Sequence, residues 1–368
     1  MDAPTTGPLN ILVFGAGAVG TYIGGSLALG GQRVVFVERP EVAEALRHSG
    51  LTLILDGQAR RLEAPRIAGS LAEALAWQAL EPRPFDAALF ALKSYDTAAA
   101  LDGMRPFSAQ LPPLVCLQNG VDNETAIAGT LGSDKVIGAT LTSAIGRPGP
   151  GQIALEKLRG AGVAGAPGSL AQRLQQAMDA AGLNCRLYPR AADMKWSKML
   201  TNLLSNASSA ILDLSPAQVF GHPGLYRLEI AQLREALAVM QAQGIEVVDL
   251  PGTPVRLLAL GVRLPAALSR PLLARQVGGG RGAKMPSFHI DLHSGHGRSE
   301  VGWLNGAVAR AGQQLGLPTP ANRLLTETLQ ALTEGRLPLE SYAGQPRKLL
   351  EAYSQQRSGP EKTTRRAG

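Results

Sequence analysis

An α/β N-terminal domain followed by a mostly α-helical C-terminal domain is what the sequence predicts. Three observations carry this. Short β-like runs alternate with helical stretches through the first half, the pattern of a parallel sheet with crossover helices. A glycine cluster, Gly15 to Gly20, sits where the first strand should pass into the first helix. From residue 193 onward the β signal disappears and long helical periodicities take over.

Taken in order, residues 9–14 (LNILVF) read as a buried strand, 18–29 as the helix after it, 33–37 as a second strand and 41–48 as a helical stretch. Residues 85–92 (FDAALFAL) and 114–117 (LVCL) read as two more buried strands, with later strands at 136–141, 152–155 and 184–187. Tyr188-Pro189-Arg190 reads as a linker. The helical part offers 193–212, 223–243, 302–315 and 321–332, with a flexible loop at 278–284 (GGGRGAK). The expected division is 1–189 for a dinucleotide-binding domain, 190–353 for a helical substrate and catalytic domain, and 354–368 for a basic, disordered tail lacking apolar periodicity.

Composition narrows the function classes. With 368 residues, 45% of them hydrophobic and 18% charged, the chain can bury a sizeable core. No apolar run approaches the roughly 18 residues that a membrane span needs, and the N-terminal MDAPTTGPLN lacks the basic and apolar regions of a secretory signal. Two cysteines, Cys116 and Cys185, are too few for a disulfide scaffold and fit a reducing cytoplasm. Part of the net charge of +7 sits at the C-terminus, where residues 357–368 hold four basic side chains and one acidic. Aromatic residues make up 4% of the chain, which is poor for base stacking, so a nucleic-acid partner is not expected.

The cluster Gly15-Ala16-Gly17-Ala18-Val19-Gly20 has the strand–turn–helix context that gives G-x-G-x-x-G its meaning. The first glycine permits the tight turn, the second a close backbone approach to a pyrophosphate, and the third close helix–strand packing. These features predict a Rossmann domain whose helix N-terminus receives the phosphates. The second strand ends in Glu38-Arg39, an acid suited to the ribose hydroxyl of NAD beside an arginine suited to the 2′-phosphate of NADP, and spacing alone leaves both open. Lys93 and Asn119 end the next two strands and so point toward the cofactor crevice.

In the helical half, Lys198, Asn202 and Asn206 recur at i, i+4 and i+8 and form one polar stripe on a continuous helix. One lysine with two amides suits a cleft, the lysine as proton donor and the amides as ligands for substrate oxygens. Lys195 lies close to the stripe, so spacing does not choose between the lysines. Glu300 falls in the first turn of a further helix, where the dipole favours a carboxylate that could also hold a substrate hydroxyl. His289, His293 and His296 cluster with Asp291, and the first two are one helical turn apart. No third ligand is fixed, so no metal site is expected.

These blocks together resemble the ketopantoate reductase family, the 2-dehydropantoate 2-reductases. The resemblance runs from about residue 10 to 332. It rests on GAGAVG at 15–20, LKSYDT at 92–97, LQNGVDNE at 117–124, D-x-x-W-x-K-x-x-x-N-x-x-x-N at 193–206, and K-M-P-S…D…GRSE…LNG at 284–306. It implies a Rossmann domain, a helical domain and a cleft between them, with NADPH reducing 2-dehydropantoate to pantoate on the route to pantothenate and coenzyme A. By the same resemblance Lys93 and Asn119 are cofactor-side residues and Lys198, two residues after Trp196, is the proton donor. Asn202, Asn206, Ser287 and Glu300 bind substrate, and Arg39 favours NADP. Loss of Lys195 should then be mild. The implied partner is a small 2-keto acid, with no nucleic acid or membrane and a homodimer as a possible assembly. Three rivals remain: a paralogue acting on another 2-keto acid, a dehydrogenase with a catalytic histidine, and a non-catalytic NADPH-binding sensor. No histidine is among the matched residues of these blocks and the stripe is present, which weighs against the last two.

Overall fold

The computed structural model describes residues 7–80, 83–265, 268–270 and 285–358. The chain divides into two compact units, Met1–Lys195 with Asp249–Pro254, and Trp196–Val248 with Val255–Gly368. The expected loop at 278–284 and residues 359–368 lie outside the described residues.

The first unit is built on an eight-stranded sheet. Its strands are β1 (Asn10–Phe14), β2 (Arg33–Val37), β5 (Arg66–Ala68), β6 (Ala87–Phe90), β7 (Leu114–Cys116), β8 (Val136–Leu141), β11 (Ala161–Ala164) and β12 (Cys185–Tyr188). Their order is β12-β11-β8-β7-β6-β1-β2-β5. The run from β8 to β5 is parallel throughout, and β11 pairs antiparallel to β8. β1 is buried at every position, as the apolar run of residues 11–14 requires of a strand covered on both faces, and the buried Asn10 amide donates to the carbonyl groups of Arg83 and Pro84. Chain order reverses direction across the sheet between β1 and β6, and that crevice is where ligands of such sheets bind.

A second sheet, with order β4-β3-β10-β9, contains β3 (Leu51–Leu55), β4 (Gln58–Leu62), β9 (Ala144–Gly149) and β10 (Gln152–Lys157). The sequence reading missed β3, β4, β5, β9 and β11. The β3–β4 hairpin turns on Asp56-Gly57, both at positive φ (51° and 77°), a pair of residues that favours such turns. α1 (Ala18–Leu29) and β2 have the bounds that the sequence predicts. The other helices of this unit are α2 (Pro40–Ser49), α3 (Leu71–Leu80), α4 (Thr97–Met104), α5 (Asn123–Leu131) and α6 (Leu170–Ala180).

The second unit is helical. α7 (Ala191–Leu203) begins directly after β12, and the division between units falls within it, at Lys195–Trp196. The single helix expected over 193–212 is two: α7 ends at Leu203, and α8 runs Asn206–Leu212. Ser205 between them is left-handed at φ 50°, and its N–H is taken by the buried Glu229 carboxylate at 2.6 Å instead of a helical carbonyl. α9 (Pro216–Gly221) opens on a capping box from Ser215 and Gln218, and α10 (Pro223–Ala242) follows. After α11 (Val255–Arg263) come α12 (Ser287–His293), a 3-10 turn at Glu300–Trp303, α13 (Asn305–Gln314), α14 (Pro320–Thr333) and α15 (Pro346–Arg357). The helix expected over 302–315 is therefore also interrupted, at Leu304, where the Asn305 side chain turns inward to Gln232 and Asn322. Residues 354–357, expected in the tail, are helical instead, because α15 packs on α10 and α14 with Leu349 buried and runs to Arg357.

The glycine turn shows three different physical demands. Gly15 adopts φ 92°, and a Cβ on Gly20 would collide with the Gly15 carbonyl oxygen, whereas a Cβ on Gly17 would meet nothing within 4 Å. Gly20→Ala should therefore destabilise the protein at the upper end of the roughly 1–3 kcal/mol that overpacking costs, or beyond it. Gly17→Ala, at the helix N-cap, should cost about 1 kcal/mol or less. Urea unfolding of the two variants checks this, and equal losses would contradict it.

Candidate active site

In the first unit the parallel register brings four strand ends to one edge. Gly15 follows β1, Glu38-Arg39 follow β2, Lys93 follows β6 and Asn119 follows β7. Backbone bonds continue the register past the strands: Gly15 N–H donates to Val37 O (3.1 Å), Ala91 N–H to Phe14 O (3.1 Å) and Leu117 N–H to Phe90 O (3.1 Å). The open space at Gly17 lies at the N-terminus of α1, whose first turn carries no acidic residue. Gly15, Ala16, Gly17, Ala18, Val19 and Gly20 thus present a helix N-terminus and a cradle that a side chain would fill, which fits a dinucleotide pyrophosphate.

Glu38 has a part that the sequence reading did not give it. Its carboxylate accepts the N–H of Ala16 at 2.6 Å and that of Arg39 at 3.2 Å, bracing the glycine turn. The Arg39 side chain is 78% exposed and stands 3.8 Å from Glu41. Below Lys93 and Asn119 runs a buried polar network that the sequence reading also missed. Ser94 Oγ donates to Asn119 O (3.0 Å), and the Asn123 amide donates to Asn119 O (2.8 Å) and Ser94 Oγ (3.2 Å). Gln118 donates to Thr97 Oγ1 (2.8 Å), which donates to Asn123 Oδ1 (3.2 Å). The network ties the loop after β6 to the loop after β7. The signal was present as the polar residues inside LKSYDT and LQNGVDNE.

In the second unit Lys198 and Asn202 are half-buried on α7, one turn apart. Asn206 is no longer the third member of a helical stripe, since it opens α8 beyond the break. Its placement is nevertheless tightly specified. Its Nδ2 donates to Ser287 Oγ (3.3 Å) and its Oδ1 accepts the Phe288 N–H (3.0 Å), one of the N–H groups that the start of α12 would otherwise leave unpaired. Asn206 and Ser287, distant in sequence, are thereby brought together. Glu300, 3% exposed, begins the 3-10 turn that packs on α13 and α14.

Comparison with known proteins now bears on this arrangement. The family described as ketopantoate reductase PanE/ApbA matches residues 11–167, and its C-terminal domain matches residues 190–333. The chain belongs to the ketopantoate reductase PanE/ApbA family. A 2-dehydropantoate 2-reductase of Mesorhizobium japonicum is 27% identical over 336 residues, covering 85% of this chain and 94% of the relative. A crystal structure of a PanE/ApbA family ketopantoate reductase from Ralstonia eutropha superimposes with a TM-score of 0.73 at 26% identity, over 89% of this chain and 99% of that one. D-mandelate dehydrogenase, solved with NADH and anilino(oxo)acetate, shares the fold with a TM-score of 0.71 at 21% identity, over 89% of this chain and 99% of that one. Family membership makes the protein an oxidoreductase acting on a CH–OH group with a nicotinamide cofactor.

The two cysteines are both free and buried. Burial pushes the thiols of Cys116 and Cys185 up to about 12, so both stay protonated at neutral pH. No described helix is long and apolar enough to cross a membrane.

The two lysines of α7 differ sharply. Lys195 is 5% exposed, and its ammonium lies 2.7 Å from Glu124 Oε1, 2.6 Å from Gln118 O and 3.3 Å from Ala139 O. All these partners belong to the first unit. The mild effect expected for losing Lys195 therefore needs correcting on the stability side, because its removal leaves the Glu124 carboxylate without its cation. Lys195→Ala in this reductase should cost about 3–5 kcal/mol of stability, as breaking a buried pair usually does. Lys198→Ala, at a half-buried position, should cost less. Denaturant titration of both variants is the check, and equal midpoints would refute the structural role of Lys195.

Proposed function

We propose that the protein reduces the ketone of a 2-keto acid with NADPH, and that this acid is 2-dehydropantoate, the product being pantoate. The observation that carries the reading is the contrast on α7. Lys195 is enclosed by three acceptors, whereas Lys198 is half-buried one turn from Asn202. The lysine that the family resemblance assigns to proton donation is the one not locked in the interior.

In this reading Gly15 to Gly20 hold the pyrophosphate, Lys93 and Asn119 border the nicotinamide side, and Arg39 meets the 2′-phosphate. The chemistry supplied from that site is hydride transfer to the carbonyl carbon of the keto acid. Lys198 stabilises the alkoxide that develops on the carbonyl oxygen and gives it a proton. Asn202 and Asn206 donate amide N–H groups to substrate oxygens, Asn206 having a second N–H beyond the one that it gives Ser287. Ser287 adds a hydroxyl, and the Glu300 carboxylate accepts from a substrate hydroxyl. These contacts orient the carbonyl and convert binding into a near-attack geometry. NADPH is favoured over NADH because Glu38 is engaged in bracing Ala16, while Arg39 extends to solvent.

The test is NADPH and NADH oxidation against a panel of 2-keto acids that includes 2-dehydropantoate. Preference for a different keto acid would move the substrate, and no turnover with any would favour a binding protein. Lys198→Ala should lower kcat by roughly 10²–10⁴-fold, the range for a lost general acid, with little change in NADPH affinity. A near-normal kcat would remove Lys198 from this role. Arg39→Ala should raise the KM for NADPH far more than that for NADH, and equal changes would count against the 2′-phosphate contact.

A further inference from the structure

The sequence offers two histidines one helical turn apart and no third ligand. The fold supplies one. His289 and His293 lie on α12, with ring centroids 4.1 Å apart. Asp213, 76 positions away from His289, brings its Oδ1 to 2.7 Å from His289 Nε2. One donor atom from each of the three residues lies within 4.8 Å of the others. Asp213 is not a passing surface acid. It caps α8 in a left-handed conformation at φ 51°, with its N–H bonded to Ser209 O, so the end of the helix fixes its position. Asp tolerates that conformation better than most residues. α8 and α12 also pack directly against each other.

We propose that Asp213, His289 and His293 form a binding site for one zinc-class divalent cation, with the remaining coordination position open to water. Two imidazoles and one carboxylate are a zinc donor set, and histidines at i and i+4 on one helix are a recurring way to present the first two. The same donors hold magnesium or calcium poorly, because those ions demand mostly oxygen ligands. Without metal, the Asp213 contact orients the His289 imidazole, as a carboxylate does beside a metal-ligating histidine. Zinc bonds of about 2.0–2.2 Å in tetrahedral geometry need donor atoms roughly 3.3 Å apart, so the His289–Asp213 contact must open slightly. The Asp213 side chain, 58% exposed, has room to do so. The bound ion would clamp α8 to α12 at the end opposite to Asn206, which opens α8. The site stands independently of the reductase reading, since none of its ligands is assigned to substrate or cofactor.

The experiment uses the full chain, freed of any affinity tag and stripped of metal, titrated with Zn2+ against a chromophoric chelator. One Zn2+ per chain should be withheld from the chelator, and millimolar Mg2+ should not displace it. Asp213→Asn and His293→Gln, both exposed positions, should each weaken binding by more than the roughly 10–100-fold typical of losing an outer-shell partner. His296→Gln, in the following loop, should leave it unchanged. Co2+ in place of Zn2+ should give a four-coordinate visible spectrum that disappears in His293→Gln. Wild-type affinity no better than that of Asp213→Asn and His293→Gln, or an equal loss in His296→Gln, would overturn the proposal.

Discussion

The second unit depends on one carboxylate that water never reaches. Glu229 is fully buried in the middle of α10, and it accepts the Ser205 N–H (2.6 Å), the Ser208 hydroxyl (2.6 Å) and the Gln232 amide (2.7 Å). Moving such a group out of water costs several kcal/mol, and only a full set of donors offsets it. One of those donors is the backbone of the residue where α7 stops. The break between α7 and α8 thus supplies one of the donors that the buried carboxyl group needs. It also sets the start of α8, and with it the Asn206 side chain that reaches Ser287 and the first turn of α12.

The same face of α10 continues the logic. Gln232 donates to Leu203 O at the end of α7 (3.1 Å) and accepts from Asn305 (2.8 Å). Glu235 accepts the N–H groups of Ala321 (2.8 Å) and Asn322 (2.9 Å), at the positive end of α14. Burial raises the Glu235 pKa, and the bonds from Asn322 and Ala321 pull it back down. Residues 229, 232 and 235 recur every three positions along an otherwise apolar face, so each meets the terminus of a different helix. A polar seam inside a helical bundle here takes the part that loops and caps take elsewhere.

The sequence made the central strands of the first unit legible because they are predominantly apolar, and it made α1 and β2 legible because glycine and charge punctuate them. It did not reveal β4, whose residues QARRL are largely exposed and carry little apolar signal. The hairpin before it was readable in principle, since Asp56-Gly57 separates two short strand-like runs. The helix break at Ser205 was not readable from periodicity, because apolar spacing continues smoothly through residues 199–212. Its cause lies on another helix, where an acid and an amide interrupt the apolar run of α10. For the candidate site, the residues of each block were legible one by one. What was not legible was pairing across long separations: Asn206 with Ser287, Glu38 with Ala16, and Asp213 with His289.

The two lysines of α7 show why residue type and spacing underdetermine chemistry. They are three positions apart, about 60° around the helix. That rotation is enough to give them opposite environments. An ammonium has three protons to donate and no acceptor. At Lys195 an ion pair and two backbone carbonyls meet that capacity inside the first unit. Glu124, Gln118 just after β7 and Ala139 in β8 thus hold the ammonium in place, which suits an anchor. Lys198, one turn from Asn202, is half-buried instead, so the same residue type meets a different degree of desolvation three positions along the same helix.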